Sequence, residues 1–219
     1  MILDEKETRI TLAGPAGQLD AVLNAGESSG VLAGKSLLAI ICHPHPQQGG
    51  TMDNKVVTTL MRSYRDLGIP VLRFNFRGVG KSEGQFDNAV GELADLLAAI
   101  AWVEQALPDR AILLAGFSFG SSIAARASYA VTGLVHLTLV APPVERYVYD
   151  KEGAFTAPLC VIQGDQDELV IASGVYDWVA ALKSPALLLR YPEAGHFFHG
   201  LLARVKADLT EALLTQIAH

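Results

Sequence analysis

The sequence predicts a single α/β domain built on one mostly parallel sheet of about eight strands, with helices on both faces. Three observations predict it. Short apolar runs alternate with longer helical stretches along all 219 residues, the pattern of strands joined by helical crossovers. Half of the residues are hydrophobic and 18% are charged, a composition that suits strands covered on both faces. No repeat, linker or low-complexity tract breaks the alternation, so residues 1–219 are read as one domain. Folding at this size buries roughly 70% of the surface the unfolded chain exposes.

The opening departs from the alternation. Residues 7–12 and 19–25, separated by Gly14-Pro15-Ala16-Gly17, read as an antiparallel hairpin. The later strands are expected at 36–42, 70–75, 110–116, 134–140, 158–164 and 185–191, and helices at 53–67, 90–106, 119–131, 171–182 and 198–217. Right-handed crossovers then distribute the helices over both faces. Chemistry in such a sheet sits beyond the carboxyl ends of the strands.

Composition excludes several classes. The net charge is −6 with no Lys/Arg cluster, which leaves no electrostatic footprint for nucleic acid. Cys42 and Cys160 lie in apolar runs and read as reduced core thiols. The chain opens MILDEKETRI, without the pattern of a secretory signal, and no apolar run approaches the roughly 18 residues of a membrane span. The expectation is a cytoplasmic protein, monomeric by default, acting on a small molecule without membrane or nucleic-acid partners.

The predicted strand 110–116 runs into Gly116-Phe117-Ser118-Phe119-Gly120 and then a helix rich in small residues. This is the G-x-S-x-G pattern in the strand-turn-helix context that gives it meaning. So tight a turn leaves no room for side chains at the glycines, and it presents the serine hydroxyl to the cleft. Ser118 is the candidate nucleophile.

A serine hydroxyl needs a base, and the base an orienting acid, in the order Ser, Asp/Glu, His on such a sheet. Of the six histidines, His43, His45 and His136 precede the place for the base. His136 alternates inside a strand as a core residue would, and His219 is the last residue. His196 follows Gly195 in the loop after the last strand and is the candidate base, whereas His199 falls where the final helix starts. For the acid, Asp165, Asp167 and Glu168 crowd the loop after the penultimate strand. Asp165 can bond its own turn, and Glu168 can be a first-turn helix acid. Asp167 is preferred over its alternative as a helix N-cap. Glu145, one strand earlier, is the rival.

An oxyanion would need backbone donors, each worth about 3 kcal/mol in the transition state. The Phe119 N–H is one. The second is expected from His43-Pro44-His45-Pro46-Gln47, where the prolines carry no N–H and only that of His45 is available. The His45 ring is expected to line the pocket and that of His43 to brace the loop. A metal reading of the two histidines lacks a third ligand at a suitable spacing, and this chemistry requires no cofactor. The run Asn75 to Ser82 contains GKS but lacks the first glycine of a phosphate loop, so nucleotide binding is rejected.

Residues 75–84 (NFRGVGKSEG), 116–120 (GFSFG), 164–170 (GDQDELV) and 194–200 (AGHFFHG) together resemble the α/β-hydrolase superfamily along essentially the whole chain. The segments HPHPQQGGTMDNKVV and GQFDNAVGE are similar to those of small lidless bacterial serine hydrolases near the dienelactone-hydrolase and acyl-peptidase branches. True dienelactone hydrolases carry cysteine at the elbow, where this chain has Ser118. The resemblance implies a hydrolase and leaves its substrate open.

Only about 17 residues, Ala141 to Ala157, separate the strand after the elbow helix from the strand before the acid, too few for a lid. An open cleft lined by Met52, Phe86, Phe119, Tyr147 and Phe197 is expected, suited to small acyl esters. The expected activity is that of a carboxylesterase. A thioesterase or peptidase on the same residues, and a non-catalytic binding module, are the alternatives.

Overall fold

The computed structural model describes residue 3, residues 5–149 and residues 154–217. Strands β1 (Glu7–Gly14) and β2 (Gly17–Asn24) form the antiparallel hairpin, in register from Glu7 opposite Asn24 to Gly14 opposite Gly17. They run closer to the turn than expected, leaving only Pro15 and Ala16 between them. Next come β3 (Leu37–Cys42), α1 (Lys55–Asp66), β4 (Val71–Phe74), α2 (Gly91–Ala106), β5 (Ala111–Phe117), α3 (Phe119–Ser128) and β6 (His136–Val140). The chain continues through β7 (Leu159–Gly164), α4 (Ala172–Ala181), β8 (Ala186–Tyr191) and α5 (Leu202–Ile217).

The sheet order is β1-β2-β4-β3-β5-β6-β7-β8. β2 pairs antiparallel with β4, and every pairing from β4 through β8 is parallel. Successive residues of a strand face opposite sides, and the packing follows. Leu38 and Ile40 of β3, with Leu114 of β5, meet Leu96 and Val103 of α2 and Ile123 of α3. Ala39 and Ile41, with Leu113, meet Val57 and Leu60 of α1 and Leu209 and Leu213 of α5. Val175 puts α4 on the α2 and α3 face. All six residues of β3 are buried, as a strand covered on both faces requires.

Helix boundaries show local causes. The Asn54 side chain accepts the Val56 N–H at 2.9 Å and starts α1, satisfying one of the orphan donors of a helix start. α5 begins at Leu202, later than position 198, because Phe198 (φ 52°) and Gly200 (φ 77°) take left-handed conformations that a helix cannot contain. The connection between β6 and β7 contains no helix and no lid domain among the described residues. No described helix is long and apolar enough to cross a membrane.

Candidate active site

At the carboxyl end of β5 the chain turns through Ser118, whose φ of 53° and ψ of −122° are strained for a residue with a side chain. Its neighbours explain the strain. A Cβ on Gly116 would stand 2.2 Å from the Gly120 carbonyl oxygen, and one on Gly120 would stand 2.4 Å from that of His43. β5 and α3 therefore approach one another, and the loop after β3, at distances only glycine allows. The Ser118 N–H donates to Val140 O at 2.8 Å, and its carbonyl accepts the Ser121 N–H at 2.9 Å and the Ser121 hydroxyl at 2.5 Å. The buried Tyr149 phenol donates in turn to the Ser121 oxygen at 2.7 Å. Ser121 and Tyr149 carry no sequence signature for this role, because the relay exists only once the β6 to β7 connection lies over α3.

His196 lies in the loop after β8, its ring between Phe117 and Phe197 with centroids at 5.0 and 5.1 Å. Its Nε2 is 3.0 Å from Ser118 Oγ, and its Nδ1 is 2.8 and 3.0 Å from the two oxygens of Asp167. The carboxylate takes the Nδ1–H, which leaves Nε2 as the acceptor for the serine hydroxyl. The side chains of His196 and Asp167 are 2% and 0% exposed, so water does not compete for this contact.

Asp167 Oδ1 also accepts the N–H groups of Leu169 and Val170 at 2.9 and 2.8 Å, and Oδ2 accepts the Gln163 amide at 3.2 Å. Burial raises the pKa of this carboxyl. The bonds from His196 and the two backbone N–H groups, with the attraction of the imidazolium, outweigh burial and hold it below the ordinary value.

The neighbouring acids point elsewhere. Asp165 pairs with Arg190 at 2.7 Å and accepts the Tyr176 hydroxyl, while the Glu145 carboxylate lies against Gly174 of α4. Glu168 does not act as a helix acid, since α4 starts only at Ala172 and has no acidic residue in its first turn. Instead its Oε2 accepts the His196 N–H at 3.1 Å, tying the loop after β7 to the loop after β8. Sequence alone hides this contact, because it joins residues 28 positions apart.

The loop after β3 rests on His43. The ring donates from Nδ1 to Pro44 O at 2.6 Å and accepts the Phe76 N–H on Nε2 at 3.0 Å. Both nitrogens are committed to main-chain partners, and a ring facing an N–H must remain neutral there. The His45 carbonyl accepts the N–H groups of Gln48 and Gly50, and its ring Nδ1 accepts the Gln47 N–H to start a single 3-10 turn at Pro46–Gln48. Neither the His45 N–H nor the Phe119 N–H has an acceptor among the described residues.

The aromatic residues separate into two groups. The His45 ring meets Phe86 at 4.9 Å and Phe119 at 5.1 Å, and Phe119 meets Tyr147 at 5.5 Å. Phe197 stands apart, against Phe117 and His196. Met52, expected on the same wall, is 1% exposed. Its main chain is held by Asn75 and Arg73, and burial turns it away from any open surface. The loop bearing Phe86 is fixed by buried charge: Glu92 accepts the N–H groups of Asp87 and Ala89, and Arg77 pairs with Asp95 at 2.7 Å.

The remaining residues behave as their surroundings dictate. His136 is buried against Gln216 and Thr138, and His199 is exposed. His219 lies outside the described residues. Cys42 and Cys160 are buried and free, with burial pushing both thiols up, Cys160 to about 12. Ser82 of the GKS run donates to Asn75 O and accepts the Asp20 N–H, a structural use of its hydroxyl.

Known proteins with this arrangement of elements were found by comparison. The family model described as alpha/beta hydrolase fold matches residues 45–144. A lidless α/β serine hydrolase from Xanthomonas campestris superposes with a TM-score of 0.92 at 38% identity, covering 100% of this chain and 99% of its own. An α/β serine hydrolase homologue from Coxiella burnetii gives 0.89 at 41% identity, covering 97% and 99%. An uncharacterized protein of Rickettsia prowazekii is 33% identical over 217 residues, covering 94% of this chain and 89% of its own.

Proposed function

The chain belongs to the α/β-hydrolase family, as a lidless serine hydrolase homologue, and from that premise we propose that it cleaves carboxylic esters of small acyl substrates through Ser118, His196 and Asp167. The observation that carries this reading is the continuous hydrogen-bonded chain from Ser118 Oγ through the imidazole to the buried carboxylate of Asp167.

In the proposed mechanism His196 Nε2 takes the Ser118 proton as Oγ attacks the ester carbonyl carbon. The carbonyl oxygen, now negative, accepts the N–H groups of His45 and Phe119, which have no acceptor to give up among the described residues. Collapse of the tetrahedral intermediate breaks the bond to the alkoxy oxygen, which leaves with the proton from Nε2. A water then loses a proton to Nε2 while attacking the acyl-enzyme, and the second collapse returns that proton to Ser118 and frees the acid. Asp167 keeps Nδ1 protonated throughout, so Nε2 is always the atom that exchanges. No cofactor takes part in these steps. The half-buried His45, Phe86 and Tyr147, packed over the buried Phe119 ring, offer an apolar surface to a short acyl chain, and a monomer supplies every group used.

Labelling with a fluorophosphonate tests the proposal. One adduct on Ser118, lost in His196→Ala, is the expected result, and a folded protein that takes no adduct would leave a binding role as the better reading. A panel of matched ester, thioester and amide substrates then decides among the acyl-transfer chemistries this triad supports.

A further inference from the structure

Gln163 is the last residue but one of β7, where the preceding residues Cys160, Val161 and Ile162 are apolar and buried. Its own side chain is fully buried. The amide nitrogen donates to Gly164 O at 2.9 Å and to Asp167 Oδ2 at 3.2 Å. The amide oxygen, equally buried, has no partner, and it is the one such side-chain atom among the described residues. Turning the amide over would not help. It would set that oxygen against the Gly164 carbonyl and the Asp167 carboxylate, two acceptors, and the donor would then face the side that offers no acceptor.

An unpaired buried carbonyl destabilises a fold, and an apolar side chain of equal length at this position would avoid it. Nothing in the packing of β7 requires an amide. Gly164 O retains the Asp167 N–H without it, and Val161, the preceding residue on the same face of β7, is apolar and fully buried. The contact with no apolar substitute is the N–H given to Asp167 Oδ2, the oxygen that also takes the shorter bond from His196 Nδ1 at 2.8 Å.

We infer that Gln163 is a positioning residue for the proposed reaction, retained at a cost in stability because its amide fixes the orientation of the Asp167 carboxylate toward His196. The inference rests on the triad reading given above. Leu169 and Val170 hold only Oδ1, so among the described residues the imidazole to be oriented has no second fixed donor beside it on Oδ2 except the Gln163 amide.

The test is Gln163→Met, compared with wild type and with Ile162→Val, a control one residue earlier that faces the opposite side of β7. In Gln163→Met the melting temperature should be equal to or above wild type, while kcat for a short-chain ester falls about tenfold, which is about 1.4 kcal/mol of transition-state stabilisation, and KM changes less than twofold. Ile162→Val should show the reverse, a lower melting temperature with kcat retained. Wild-type kcat in Gln163→Met overturns the inference, and so does a fall in kcat accompanied by a fall in melting temperature like that of the control. If neither Gln163→Met nor Gln163→Leu folds, the inference is also overturned, because it requires the amide to be dispensable for folding. Failure of the triad reading is separate, since wild-type protein would then neither turn over esters nor take a fluorophosphonate.

Discussion

The Cα of Gly120 faces the carbonyl oxygen of His43 so closely that an added Cβ would stand 2.4 Å from it, and 2.5 Å from that of Cys42. The turn that presents Ser118 and the loop that carries the His45 N–H are thereby locked together through backbone alone. Both neighbours are main-chain atoms, Cys42 the last residue of β3 and His43 the first of the loop its own ring braces, and neither can swing aside. Gly120→Ala should therefore lower stability by about 3 kcal/mol or more, at the severe end for point changes. Urea denaturation measures the loss. An alanine variant as stable as wild type would show that the two loops separate readily.

Glu168 and His196 make the second bridge between loops, through the carboxylate and the backbone N–H at 3.1 Å. Glu168→Ala frees this N–H and should reduce kcat several-fold, on the scale of one hydrogen bond of about 1 kcal/mol. Glu168→Gln keeps an acceptor oxygen and should recover most of the rate. Equal rates in both variants, measured on a short-chain ester, would remove the contact from any role in placing the base.

Arg77 and Asp95 form a buried pair in which the aspartate is fully enclosed and the arginine side chain is 10% exposed. The same carboxylate accepts the Arg77 backbone N–H at 3.0 Å. Removing one partner leaves a buried charge uncompensated, so Arg77→Met should destabilise the protein by about 3–5 kcal/mol. The double variant Arg77→Met, Asp95→Leu should regain part of that loss, which a double-mutant cycle in urea would read.

Two buried imidazoles make acid stability predictable. Burial pushes both His43 and His136 down to about 4, against an ordinary value of about 6.5. Between these values the unfolded chain binds protons that the folded chain refuses, so stability is complete above pH 6.5 and declines as pH falls toward 4. Each ring contributes a slope of about 1.4 kcal/mol per pH unit in that window. His136→Leu should halve the slope. Asp167, held below its ordinary value, acts lower: its contribution is present above about pH 4 and is lost as pH drops through its folded value.

Phe86 meets His45 at 4.9 Å and Phe119 at 5.9 Å, where a short acyl chain would lie in the proposed complex. Phe86→Ala should shift preference from acetyl toward butanoyl esters, by about tenfold in the ratio of kcat/KM, as expected for one or two methylenes in an apolar pocket. An unchanged chain-length profile would place the acyl group elsewhere.

Much of this protein can be read along the chain. Strand and helix periods are local properties, and the run from Ala111 to Ser128 declares a strand, a sharp turn and a helix without reference to anything distant. The order of Ser118, Asp167 and His196 follows from the same alternation, because each stands at the carboxyl end of a strand. The hairpin was legible for the same reason, since a Gly-Pro-Ala-Gly turn is local chemistry.

Tertiary structure decided what successive loop residues do. Asp165, Asp167 and Glu168 all carry a carboxylate, yet one goes to Arg190, one to the imidazole and one to a backbone N–H. Their directions depend on backbone dihedrals set by β8 and the loop that follows it, which no local pattern encodes. Gln163, Ser121, Tyr149 and the buried Arg77 with Asp95 were invisible for the same reason, and Met52 was misplaced by it. Sequence by itself determined which residue types reach one end of the sheet and in what order. Only packing, through contacts between residues tens of positions apart, decided which atoms meet there.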